Sequence, residues 1–300
     1  MSGTTTFILF RVTIEPKDKD SFQNFQEILD TPLDEYQPMA SNGNRFELEG
    51  KIRQTQGLYY GTFCLNQTQE LPPIVKFGAA PKELLADEDD DTGIGHYTSF
   101  FYDPMHQMVG IQNNRNGISA NGIAAFFKRN YEMRDILFEF VINPAELARL
   151  NNLTEISSFE VSIAKMENGS AFSSNSDSLT FRQATKVADD TNANVFKLFY
   201  GVGYQRGATL RKGSVIDYIK SILGKGAVNN ITKIEIKGRE TDDANMHVID
   251  LINNKIKLIV TLPRARSINA SYNQKIITKA IQEYKDIVPE LKSYKIKAKT

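Results

Sequence analysis

The residue types with the most chemical promise lie in the last hundred positions. Ile234-Glu235-Ile236-Lys237-Gly238 sets a carboxylate and an ammonium two residues apart on a strand-like alternation, so both point to one face. Magnesium-dependent nucleases use such a pair, the acid to hold metal and the lysine to stabilise developing negative charge. The upstream acid that would complete the set is Asp217, although it sits inside an apolar helical pattern. A catalytic reading through Glu235 and Lys237 is therefore one alternative.

Other patterns lead less far. Gly201, Gly203 and Gly207 follow a strand, but the third glycine comes one residue late for the dinucleotide fingerprint. Gly224-Lys225-Gly226 lacks the glycine spacing and the Ser or Thr of a phosphate-binding loop. His96, His106 and His247 are scattered, and the acidic run Asp87–Asp91 is contiguous where calcium loops interleave spacers. The single cysteine, Cys64, has no histidine near it in sequence and excludes an internal disulfide. No cofactor and no metal site is expected, and the chain reads as a binding protein more than as an enzyme.

Charge is the clearest signal. The chain is formally neutral, yet residues 1–100 hold 8 Lys+Arg against 16 Asp+Glu, and residues 201–300 hold 19 against 9. A polyanion responds to local potential and not to total charge, so the final third is the expected anion-facing region. Its cations are Arg206, Arg211 and Lys212 around a helical segment, Lys233, Lys237 and Arg239 along one strand, Lys255 and Lys257 along the next, and Arg264 and Arg266 after it. If the two strands lie side by side, these side chains form one basic stripe leading to the amino end of the last helix, where free N–H groups also favour an anion. Alternatively, the basic half meets an acidic protein or the acidic N-terminal half.

The elements that must position these groups are legible from periodicity. Strands are expected at residues 6–15, 45–53, 59–66, 96–102, 108–112, 136–144 and 156–166, with helices near residues 19–29, from Ser119, and through Pro144–Leu150. The polar segment 167–181 marks a linker or loop. Beyond it come a helix near 184–192, a strand at 195–203, a helix at 213–223, strands at 231–238 and 255–262, and a final helix from about Tyr272. Ile276, Ile277, Ala280, Ile281, Tyr284, Ile287 and Val288 form its apolar stripe, and Ser271 with Gln274 suggests a capping box. The expected class is α+β: a mainly antiparallel sheet domain with helices on one face (residues 1–168) plus a second, basic α+β domain (169–300). No segment is apolar for long enough to cross a bilayer and no signal peptide is evident, so a cytoplasmic protein is expected.

Two blocks carry a resemblance. Leu84–Ile111 followed by the helix at Ser119–Phe127, and the closing segment Lys257–Ile287, resemble the central and terminal parts of RexA-type phage-exclusion proteins. The resemblance implies a non-catalytic, cytoplasmic homodimer that binds double-stranded DNA through its phosphate backbone with little sequence preference. It further implies a role in antiviral defence by phage exclusion or abortive infection, with signalling to a membrane-protein partner. It supplies no metal or nucleotide motif.

Overall fold

The computed structural model describes residues 2–18, 20–41, 44–73, 89, 92–141, 143–164, 187, 190–191, 193, 195–203, 207–223, 231–241, 244–252, 255–265 and 267–292. The expected linker at 167–181, the boundary at 168, Arg206, Arg266 and most of the acidic run lie outside these residues, as does most of the helix expected near 184–192. The class is α+β with antiparallel ladders. The chain divides into two compact units, Met1–Phe138 with Lys257–Pro289, and Glu139–Ile256 with Glu290–Thr300. The second is thus an insert, whose two ends meet where the Ile256 N–H donates to the Val141 carbonyl. The expectation of a basic domain running to the C-terminus is replaced: the last strand and helix belong with the N-terminal residues.

The first unit is built on a sheet ordered β13-β1-β7-β6-β5-β3-β2, with β4 on β5 and β8 on β1. Its strands are β1 (Ser2–Glu15), β2 (Met39–Ser41), β3 (Asn44–Leu48), β4 (Arg53–Thr55), β5 (Leu58–Gln67), β6 (Ile94–Asp103), β7 (Met108–Gln112), β8 (Asp135–Phe140) and β13 (Lys257–Pro263). The single strand expected at 45–53 is two, because the chain turns through Gly50 at φ 71°. Gln56 and Gly57 both have positive φ and form the tight turn of the β4–β5 hairpin.

Two helices, α1 (Phe25–Asp30) and α2 (Ala120–Asn130), cover one face. Ser119 caps α2 by accepting from the Gly122 N–H, and the stripe Ile123, Phe126 and Phe127 is fully buried. Phe127 meets Phe25, Phe63 and Phe100 edge to face. Truncating such a ring to alanine costs about 3–5 kcal/mol. Adjacent strand residues point oppositely, so Phe101 beside Phe100 reaches the other face, where it packs on Tyr284 of the last helix, α5 (Ala270–Lys292). Helices therefore cover both faces of this sheet. Gly110 makes room for that packing, since a Cβ there would fall 2.2 Å from the Phe101 ring.

The second unit has a four-stranded sheet ordered β10-β9-β11-β12, from β9 (Glu155–Ala164), β10 (Val195–Gly201), β11 (Ile231–Arg239) and β12 (His247–Asp250), with α3 (Pro144–Asn152) and α4 (Lys212–Leu223). Its core is mainly aliphatic: Ile156, Val161 and Ile163 of β9, Ile234 and Ile236 of β11 and Ile249 of β12 meet Leu150 of α3 and Val215 and Ile219 of α4, with Phe159 of β9 among them. Both helices lie on the side to which these residues point. The opposite sheet face carries the alternate residues.

Candidate nucleic-acid interface

Register places the charges of that alternate face. Lys233 of β11 stands opposite Ser162 of β9, Glu235 opposite Glu160, and Lys237 opposite Ser158. On the flanks Lys197 pairs with Ser162, Phe199 with Glu160, and Asp250 with Glu235. Lys197 and Lys233 on one side and Lys237 on the other thus bracket a row of carboxylates. Lys233 Nζ lies 2.7 Å from Glu235 and 3.4 Å from Glu160, and Lys197 Nζ lies 4.0 Å from Glu160. The Glu235 carboxylate, followed by Glu160, holds the Lys233 ammonium above its ordinary range. Further along, Arg239 grips Glu155 through Nε and Nη2, both at 2.8 Å. These lysines and this arginine are already matched by acids.

The expected stripe is not formed as a pair of neighbouring strands. β11 belongs to the four-stranded sheet, while β13 pairs with β1 from Ser2↔Pro263 to Ile8↔Lys257. Of the cations singled out in the sequence, Lys212 donates to the Asn151 carbonyl, and Lys255 is half-buried and engaged. Arg211 and Lys237 are exposed in the second unit, and Lys257 and Arg264 are exposed in the first. The last two stand at opposite ends of β13, about 23 Å apart by strand rise. β13 is an edge of its sheet among the described strands. The stem of Arg264 runs over Gly3, where a Cβ would come within 3.2 Å of its Cγ.

The nuclease constellation is not assembled. Val215 and Ile219 bury α4 against Ile234 and Ile236, so the helix bearing Asp217 covers the sheet face opposite to Glu235. Glu235 is itself paired to Lys233. Among the described residues no group of three or more His, Cys, Asp or Glu is placed to hold a metal ion. Burial, followed by Glu49 and Glu47, pushes the Cys64 thiol up, which disfavours a reactive thiolate.

One histidine is built into a buried network. His106 Nδ1 lies 2.6 Å from Asp103 Oδ2, and the Tyr284 hydroxyl donates to the same oxygen at 2.9 Å. The Met105 N–H donates to Asp103 Oδ1. Burial, then the Asp103 charge, pushes the Tyr284 phenol well above its ordinary value of 10. This arrangement ties α5 to the β6–β7 turn.

Sequence reasoning passed over another cationic feature, in the unit it read as acidic. A cleft of about 520 Å³ is lined by Lys17, Lys128, Arg129 and Arg134, with Ala125, Met133 and Glu132. The signal was present as three cations within Lys128–Arg134, diluted by counting charge over long windows.

The chain belongs to a family of unknown function (DUF6731), whose model matches residues 30–292. No curated protein matches the sequence. The match runs through the whole of the inserted segment 139–256. No helix among the described residues is long and apolar enough to cross a membrane.

Proposed function

We propose that the protein is a non-catalytic, largely sequence-independent binder of double-stranded DNA that meets phosphates with the exposed cations of its final third. One observation carries this reading: the edge strand β13 ends in the exposed pair Lys257 and Arg264, within a hundred residues holding 19 cations against 9 acids. Contacts of this kind position a protein on a duplex without reading bases. Seven residues apart on an alternating strand, Lys257 and Arg264 project to opposite faces of the sheet, so they meet phosphates from the two sides of its edge. Lys237 and Arg211 offer further phosphate contacts from the second unit.

The setting in phage exclusion, the homodimer and the membrane-protein partner are supported by the resemblance of the two sequence blocks to RexA-type proteins. Plating phage on cells with and without the gene tests that setting, and equal plaque numbers would refute it. For DNA itself, purified protein is titrated onto a labelled duplex at low and physiological salt with magnesium, and the DNA is then run on a denaturing gel. Salt-sensitive binding with uncut DNA is the expected result.

A second reading, a protein-interaction module, is favoured by the face of the four-stranded sheet that no helix among the described residues covers. Phe199 and Val248 stand 66% and 50% exposed there, beside cations already neutralised by carboxylates. Duplex affinity absent at low salt, together with capture of a partner that Phe199→Asp abolishes, would replace the first reading with this one.

A further inference from the structure

The cleft at the end of α2 has a construction that local helix electrostatics does not explain in full. Cations are favoured at the negative end of a helix, which accounts for Lys128 and Arg129 in the last turn. It does not account for Lys17, from the segment after β1, or for Arg134, from the segment before β8, converging on the same space. The floor is apolar, with Met133 buried and Ala125 half-buried. The cleft is shallow and open, and its apolar floor, cationic rim and about 520 Å³ of space leave room for a small anionic ligand held at the surface.

The helix end that shapes the cleft is also unusual. The Met133 N–H donates to the Lys128 carbonyl and the Glu132 N–H to the Arg129 carbonyl, the two bonds of a Schellman ending. The residue in the left-handed position of that ending is normally glycine, yet here it is Glu132 at φ 49°. The strained position sets Glu132 on the cleft, with its carboxylate 3.6 Å from Lys17 Nζ. Lys128 lies 3.2 Å from Asp135, and Arg134 Nε lies 3.8 Å from Glu15. Pairs this exposed are weak, because water screens them, so an incoming phosphate can take over the cations without a large loss.

We propose that this cleft binds a nucleoside phosphate, with the phosphates on Arg129, Arg134, Lys128 and Lys17, the base against Ala125 and the edge of Met133, and Glu132 as the internal anion it displaces. The site uses none of the residues assigned to duplex binding and stands independently of that reading. The test is calorimetric titration of the full chain with ATP, adenosine, inorganic pyrophosphate and a short duplex. Variants are Arg129→Gln with Arg134→Gln, both exposed, and Glu132→Gly, which suits the left-handed backbone and so retains the fold. Saturable ATP binding is expected, at least about tenfold tighter than adenosine, weakened about tenfold by the double arginine variant and tightened by Glu132→Gly. Pyrophosphate should bind more weakly than ATP, since it lacks the base. No saturation by ATP, ATP affinity indifferent to the arginine substitutions, or loss of duplex affinity alone in that variant would each overturn the proposal.

Discussion

β11 and β13 are both largely apolar strands that carry cations, Lys233, Lys237 and Arg239 on the first and Lys257 with the following Arg264 on the second, yet the fold treats these cations oppositely. On β11 the facing strand β9 supplies Glu160 and Glu155, and β11 itself supplies Glu235, so Lys233 and Arg239 have carboxylates within 2.7–2.8 Å. On β13 the facing strand is β1, whose residues opposite are Ser2, Gly3, Thr4, Thr5, Thr6, Phe7 and Ile8. No acid stands across from Lys257 there. The number of cations in a segment thus sets only an upper limit on the charge available to a polyanion, and the partner strand decides how much is left.

The largest effect expected concerns what holds β13 in place. α5 is pinned over that sheet through Tyr284, and the same unit buries Tyr102 and Tyr131. Burial pushes the Tyr102 phenol up to about 12 and raises those of Tyr131 and Tyr284 further. Each stays neutral in the folded state while its unfolded counterpart ionises above pH 10, so this contribution is complete below pH 10 and is lost as pH rises beyond it. Stability of the first unit should fall above that pH by up to about 1.4 kcal/mol per pH unit for each tyrosine. Chemical denaturation at stepped pH, followed by tyrosine absorbance, checks this; a flat profile to pH 12 would mean that the phenols are not held neutral.

Next in size is charge reversal on β13. Lys257→Glu with Arg264→Glu removes two phosphate contacts and adds two repulsions, which should weaken duplex binding by about tenfold or more while leaving the thermal midpoint nearly unchanged. Retained affinity in a band-shift titration would move the interface off β13. Opening the quenched strand should act in the other direction. Glu160→Ala with Glu235→Ala releases Lys233 and Lys197, so duplex affinity should rise by several-fold at low salt and its salt dependence should steepen. An unchanged affinity would show that the β11 face does not see DNA at all. The smallest effect belongs to Lys233→Gln, whose charge is already spent on two carboxylates; affinity should change by less than about twofold and stability by about 0–1 kcal/mol. A large loss of binding would contradict the contrast between the strands.

Much of the fold was legible because periodicity reports burial directly. The stripe from Ile276 to Val288 on α5, the start of α2 at Ser119 and the β6–β7 hairpin all follow from local pattern. What local pattern does not carry is pairing between distant segments. The union of β1 with β13 places the last strand in the first sheet and makes residues 139–256 an insert, and no charge count or linker composition signals that. The short strand β12 went unseen because four residues ending in Asp250 give too little alternation. The start of α5 was misread for a related reason: Asn269, and not Ser271, accepts the Tyr272 N–H, and Gln274 is drawn away to the Tyr60 hydroxyl on β5. For the candidate site, residue types were readable and their availability was not, since quenching of Lys233 depends on the register of β9. The α2 cleft was hidden because Lys17 joins Lys128, Arg129 and Arg134 only in three dimensions.

The most direct test is the salt dependence of duplex affinity, measured for the unmodified protein on two unrelated sequences. Counterion release predicts a log–log slope between about −1.8, if Lys257 and Arg264 alone engage, and about −3.6, if Arg211 and Lys237 join them, with equal affinity for both sequences. No binding at low salt, or binding indifferent to salt, would contradict the assignment of these cations to a phosphate backbone.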